Sequence, residues 1–388
     1  MSDRKLSEMS CTAKYIAFAL SSIVFTLATP VAQAQTARAE VVASNLQNPW
    51  ALAFLPDGRF LVTERPGRLR VIEPNGEMGE PVLGLPAVAA QGQGGLLDVL
   101  LDTDFVNNNT LFFCFSEPGQ GGNSTALAKA RLSSDRLRLE ELKIIFSQKP
   151  KVASSAHFGC RIVESQTNGK SDGMLYLTLG DRYSQMNDAQ NLNNHQGKIV
   201  RIYKDGRVPD NNPFVKRSGA LPEIWSYGHR NVQGAVLSPD GSLWTHEHGP
   251  QGGDEINPVL PGRNYGWPVI TYGENYGGGK IGQGLSAQKG MEQPLYYWSP
   301  SIAPSGMVFL NSERYGRAWV GNLFVGSLKF AYLNRIELSQ PFGGKVIKEH
   351  KLLEDLGQRI RDVRQGPDGW LYVLTDNARG QLIRLVMK

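Results

Sequence analysis

The sequence predicts an all-β chain folded as a six-bladed β-propeller, with about four strands in each blade. Short β-rich runs bounded by Gly, Pro, Asn and Asp fill the chain, and few stretches keep a 3.6-residue apolar period long enough for a helix. One strand–turn–strand unit recurs almost unchanged at 50–64, 236–245 and 363–376, turning on Pro56-Asp57-Gly58, Pro239-Asp240-Gly241 and Pro367-Asp368-Gly369. In such turns proline presets the first dihedral and glycine accepts a positive φ.

Looser copies begin near Gly95, His157 and Pro304, which brings the number of units to six. A third strand follows several of them, at 69–72, 199–202, 334–338 and 382–385. A ring of sheets has to hide its open edges, and pairing the C-terminal strand around Leu382 with the N-terminal strand around Val41 would do so. A large β-sandwich is the competing architecture.

With 388 residues, 41% of them hydrophobic and 20% charged, the chain can bury a large core and is neither disordered nor fibrous. Its formal charge of +5 is spread without a basic run, which gives no footprint for nucleic acid. Residues 1–34 read as a cleaved export signal. Arg4, Lys5 and Lys14 precede an apolar stretch at 15–29, and Ala32-Gln33-Ala34 offers small residues for cleavage. That stretch falls short of the roughly 20 residues of a spanning helix, so no stable membrane anchor is expected. The mature domain, 35–388, would then be periplasmic or secreted. Removing the signal removes Cys11 and leaves Cys114 and Cys160, which in an oxidising compartment either pair or stay as buried thiols.

Loops at one end of the inner strands converge in a propeller, so residues far apart in sequence can share a site. His157 opens the third unit, where a neutral imidazole could take a proton from a hydroxyl, with Asp181 as the carboxylate that orients it. Lys329, Arg359 and Arg361 lie at the mouths of the last two units and together imply an anionic ligand. His246-Glu247-His248 lacks the HExxH spacing of a zinc helix. Gly249-Pro250 suits a turn offering carbonyl oxygens to a hard cation such as calcium, and Asp254, Glu255 and the turn at 264–268 are further oxygen donors.

Several separated motifs then agree in order: Gly92-Gln93-Gly94-Gly95, His157-Phe158-Gly159, Gly228-His229-Arg230-Asn231-Val232-Gln233-Gly234, His248-Gly249-Pro250, Asn264-Tyr265-Gly266-Trp267-Pro268, Ser327-Leu328-Lys329 and Arg359-Ile360-Arg361-Asp362. Over nearly all of the mature chain the sequence resembles the soluble quinoprotein glucose and aldose sugar dehydrogenases, six-bladed propellers that use pyrroloquinoline quinone (PQQ) and calcium. The resemblance implies oxidation of an aldose at C1 to a lactone, with hydride passing to the quinone. It makes His157 the base and Asp181 its partner, puts Arg230 and Asn231 at the reactive quinone carbonyl, and pairs Lys329, Arg359 and Arg361 with the cofactor's carboxylates. By the same resemblance Ser301 contacts the cofactor through its hydroxyl, Gln93 faces the sugar, and Gly249 and Pro250 bind the cofactor's calcium. Glu255 and Tyr265 match positions of a second, structural calcium.

Glucose-specific members carry an acidic residue where this chain has Ala156 and a tryptophan where it has Ser299, so the broader aldose branch fits better. The electron acceptor and the oligomeric state stay open. Two rival readings are a calcium-dependent lactonase, which needs acidic and asparagine ligands at the channel centre, and a non-catalytic carbohydrate-binding propeller.

Overall fold

The recurring turn forms as its chemistry requires. Leu55 and Gly58 close the first copy through Leu55 N–H to Arg59 O and Gly58 N–H to Leu55 O, and Gly58, Gly241 and Gly369 sit at φ of 87°, 85° and 83°. Each turn reverses the chain between the first two strands of a blade: Pro49–Phe54 into Phe60–Glu64, Val232–Leu237 into Leu243–Glu247, and Ile360–Gln365 into Leu371–Thr375. The computed structural model describes residues 37–387. The expected export signal at 1–34, with Cys11, lies outside the described residues.

Six antiparallel sheets of four strands follow one another, which is the six-bladed propeller and excludes the sandwich. The innermost strands, in chain order, are Pro49–Phe54, Leu96–Leu101, Gly159–Thr167, Val232–Leu237, Pro304–Phe309 and Ile360–Gln365. The ring closes where expected. Ala37–Leu46 pairs with Gly380–Met387, with Val41 opposite Ile383, so the sixth blade takes its outermost strand from the other end of the chain. No helix among the described residues is long and apolar enough to cross a membrane.

Apolar side chains of neighbouring blades interlock between the sheets, whereas the six inner strands meet over charge. Asp98 of blade two and Asp362 of blade six hold Arg161 of blade three between them, at 3.2 and 3.0 Å, and Arg364 bridges the same carboxylates at 2.7 and 3.0 Å. Blade one adds Leu52 N–H to Asp362, and blade four accepts from Arg161 Nε at Gln233 O. Blade five contributes an absence of bulk, since a Cβ on Gly306 would lie 2.4 Å from Asp362 Oδ1. Two cations face two anions, and most of their remaining hydrogen-bonding capacity is spent on backbone.

Cys114 and Cys160, left open between pairing and free thiols, form a disulfide with Cα atoms 5.8 Å apart. It ties the second strand of blade two to the inner strand of blade three. Closing a loop across 46 residues of sequence removes enough unfolded-chain entropy to be worth about 4 kcal/mol.

Breaking a buried ion cluster by removing one partner costs more than the cluster contributes, because the remaining charge is stranded. Arg161→Met should therefore lower unfolding free energy by about 3–5 kcal/mol in a urea titration. A loss under about 1 kcal/mol would show that Arg364 alone balances Asp98 and Asp362.

Candidate active site

At one mouth of the ring two cavities adjoin. The larger, about 920 Å³, is lined by Trp50, Gln93, Asn231, Lys329, Arg359 and Arg361. The smaller, about 370 Å³, is lined by His157, Asp181, Arg230, Tyr183 and Trp267. Pro250 and Tyr276 line both, so the cationic lobe and the lobe of His157 share a wall.

His157 is held rigidly. Its Nδ1 bonds Asp181 Oδ1 at 2.6 Å, its backbone N–H donates to Gln93 Oε1 at 2.8 Å, and its φ is 52°, in the left-handed region. A non-glycine residue in that region is retained where the surroundings over-determine it. Gly180 belongs to those surroundings, because a Cβ there would lie 2.1 Å from His157 O. Asp181 is saturated: Tyr183 N–H reaches Oδ1 at 2.7 Å and Trp267 Nε1 reaches Oδ2 at 2.8 Å. Burial lowers the pKa of His157 below its ordinary 6.5 and Arg230 adds to the fall, against the opposing pull of Asp181. A neutral ring whose Nδ1–H is given to Asp181 keeps a lone pair on Nε2. That is the form of a general base.

Arg230 and Asn231 follow the third blade's last strand and enter the next inner strand, so both project at the cavity mouth. Arg230 Nη1 donates to His248 O at 3.1 Å and Gly249 O at 2.8 Å, while its Nε is buried without a partner. Asn231 Oδ1 accepts from Gly159 N–H at 3.1 Å and its Nδ2 is likewise buried without a partner. Unsatisfied buried donors beside a cavity point to a ligand with acceptor oxygens.

The cationic lobe differs from its expected form in one respect. Arg359 and Arg361 both reach Asp376 Oδ2, at 3.1 and 2.8 Å, so they are not free of acidic partners. Burial would raise Asp376, but Arg361 and Arg359 overcome it and bring the carboxyl down to about 2. With Lys329 and Arg65, four cations line the lobe against the one carboxylate of Asp376, and it keeps a positive excess. Trp50 floors it, with the Arg161 guanidinium 4.3 Å from its ring centroid and Arg361 at 5.9 Å.

Ser301 also has a partner within the protein. It lines the larger cavity, but its hydroxyl donates to Asp254, which also accepts from Gly249, Ile302 and Ala303 N–H and so fixes the 249–250 turn against 301–303. Among the described residues no three His, Cys, Asp or Glu side chains converge as a metal centre. Glu255 and Tyr265 line a small pocket with Glu247. Burial, then Glu247, pushes the Glu255 carboxyl up to about 8. The Tyr265 hydroxyl donates to Pro258 O at 2.8 Å and accepts from Leu260 N–H at 2.9 Å. His246 is wholly buried, His248 Nε2 bonds Pro304 O, and among the described residues neither joins two further His, Cys, Asp or Glu side chains as a zinc centre would require.

Sequence reasoning missed Trp50 as a floor, Trp267 as a donor to Asp181, Asp376 as the arginines' anchor, and Tyr276 as the shared wall. It also missed Arg182, which is fully buried, lies 3.6 Å from the Phe158 ring centroid and donates to Ser154 O behind the base.

His157 should be neutral at pH 7, with Nδ1 protonated and Nε2 bare. Nitrogen-15 NMR of the side chain titrated from pH 8 to 4 should show protonation only below 6.5. An imidazolium signal at pH 7 would rule the base out.

A family model described as Glucose / Sorbosone dehydrogenase matches residues 46–384. Aldose sugar dehydrogenase YliI of Escherichia coli is 45% identical over 90% of this chain and 93% of its own. The crystal structure of soluble aldose sugar dehydrogenase from E. coli in the apo-form superposes with a TM-score of 0.85 at 44% identity, covering 90% of this chain and 99% of the other. The PQQ-bound aldose sugar dehydrogenase of Streptomyces coelicolor reaches a TM-score of 0.74 at 26% identity, covering 91% and 98%. A match across nearly the whole described propeller, joined to this arrangement of base, carboxylate and cations, places the chain in the glucose/sorbosone dehydrogenase family of oxidoreductases.

Proposed function

We propose that the protein oxidises aldose sugars at C1 to lactones with PQQ as cofactor and calcium beside it. The observation that carries this reading is the juxtaposition of a neutral, carboxylate-oriented His157 with a cavity that has unpaired donors and surplus positive charge. Lys329, Arg359 and Arg361 would hold the cofactor's carboxylates, and Arg230 and Asn231 its carbonyl oxygens. Gly249 and Pro250 would give backbone oxygens to the calcium, with Arg230 releasing the Gly249 carbonyl it now occupies. When bound, the quinone supplies the two-electron acceptor.

The chain's own part is proton and charge management. His157 Nε2 would take the C1 hydroxyl proton while Asp181 holds Nδ1 and stabilises the imidazolium that results. Arg230 would favour negative charge where it develops. Gln93, bonded to the backbone of His157, would couple the sugar's position to that of the base. The lactonase alternative loses its ground: the two carboxylates at the meeting of the inner strands are neutralised by Arg161 and Arg364. A periplasmic or secreted location, through the signal at 1–34, completes the proposal, and the buried disulfide agrees with an oxidising compartment.

Reconstitution tests it. Apoprotein given quinone plus calcium should reduce a dye in the presence of glucose, and either addition alone should do so poorly. No dye reduction under any combination would sink the reading.

In the reconstituted enzyme His157→Ala should lower turnover by roughly a hundredfold or more at saturating quinone. Lys329→Ala should instead weaken quinone binding by about 1.5–3 kcal/mol with little change in turnover at saturation. Fluorescence titration with quinone alongside steady-state assays separates the two. Equal quinone affinity in Lys329→Ala and the parent would take that lysine out of the site.

A further inference from the structure

Arg182 is a charge at a place where the fold would be easier to build without one. It follows Asp181 in the turn after the second strand of blade three, it is fully buried, and burial brings its pKa down to about 10. Among the described residues only the charge of Asp181 favours its ionised form, and its Nε and Nη1 have no hydrogen-bond partner. Burying a cation with no carboxylate bonded to it costs stability. The backbone is held in the left-handed region as well, because Arg182 and Tyr183 are two non-glycine residues in succession with φ of 62° and 64°. Strain and an uncompensated charge on one residue point to function.

What the side chain touches is the loop that carries the base. Nη2 donates to Ser154 O, before His157 in the chain, and to Asn123 Oδ1 of blade two, each at 2.5 Å. The guanidinium also lies 3.6 Å from the ring centroid of Phe158, the residue after His157. One side chain therefore grips the loop on both sides of the base. Asn123 is itself anchored, since its backbone exchanges two hydrogen bonds with Val152 at 3.1 Å. From Ser154 the restraint passes along the loop: Ala156 N–H donates to the Ser154 hydroxyl at 3.3 Å, Gln93 N–H donates to Ser155 O at 2.8 Å, and Gln93 Oε1 accepts from His157 N–H. Asp181 orients the imidazole at Nδ1. The loop contacts decide where the backbone beneath that ring stands.

We propose that Arg182 is a positioning residue, which clamps the loop at 154–158 so that His157 Nε2 meets the hydroxyl it deprotonates. The inference rests on the reading of His157 as the base, and it gives Arg182 no contact with sugar or quinone. A displacement of about 1 Å at a reacting group can cost roughly a hundredfold in rate. A planar guanidinium can lie flat on a ring while one nitrogen bonds two oxygens, which an ammonium does less well. That explains a buried arginine whose charge the fold itself does not need.

Arg182→Met tests this, since it keeps the length of the side chain and its packing on Phe158 and removes both hydrogen bonds and the charge. In reconstituted full-length enzyme, kcat per quinone-binding site should fall about tenfold to a hundredfold, with KM for glucose and quinone affinity within about twofold of the parent. The urea midpoint should stay level or rise, the opposite of what losing a structural brace gives. Arg182→Lys, which keeps the charge and a donor, should recover part of kcat. The apoprotein supplies a readout without turnover: the proton NMR signal of His157 Nδ1–H, in its bond to Asp181, should shift or broaden in Arg182→Met. An unchanged signal with kcat within about twofold of the parent overturns the proposal. So does a lower urea midpoint with parental kcat, which makes Arg182 a brace and nothing more. A shifted signal in a protein whose parent oxidises no sugar keeps the clamp on His157 and overturns the C1 reading instead.

Discussion

The Arg161–Asp98–Asp362–Arg364 cluster is the constraint to which the rest of the molecule answers. A six-membered ring of sheets leaves a column where its inner strands approach, and something must fill it. Apolar side chains would fill it without fixing which blade stands next to which. Paired charges fill it directionally, because each guanidinium must find its carboxylates at hydrogen-bond distance and each carboxylate its backbone N–H. Since Trp50 lies directly over Arg161, the cluster also sets the floor of the larger cavity.

Electrostatics on the two sides of that floor differ. Beneath Trp50 the charges cancel. Above it, Arg65, Lys329, Arg359 and Arg361 share the larger cavity with Asp376 as its one carboxylate, and Arg230 lines the adjoining cavity. Arg230 opposes a second positive charge beside His157 and so adds to the burial that keeps the ring uncharged.

The architecture was legible because its signals are local. A Pro-Asp-Gly turn and the apolar alternation on either side declare a hairpin within fifteen residues, and six declarations at intervals make a ring. The closing pair at Val41 and Ile383 followed from the need to hide edges. His157, Asp181, Arg230 and Asn231 came from the order of motifs, and the structure brings them to one mouth. What stayed hidden was the set of contacts between those motifs. Trp267 reaches Asp181 across 86 residues, and Ser301 reaches Asp254 across 47. No spacing rule covers such distances. Asp376 is only 15 residues from Arg361, yet as a lone acid after a strand it carried no mark of its own.

Ring closure has a temporal side. The sixth blade joins Glu40 to Arg384, 344 positions apart, so the strand made first waits for the strand made last. Until the final strand exists, Ala37–Leu46 has no partner in its blade and stands as an unpaired edge. Native closure therefore carries the high contact order that slows folding, while any neighbour offering a β-edge competes for the waiting strand in the meantime. The seam that closes the finished propeller is the place where the unfinished chain is most open to wrong partners.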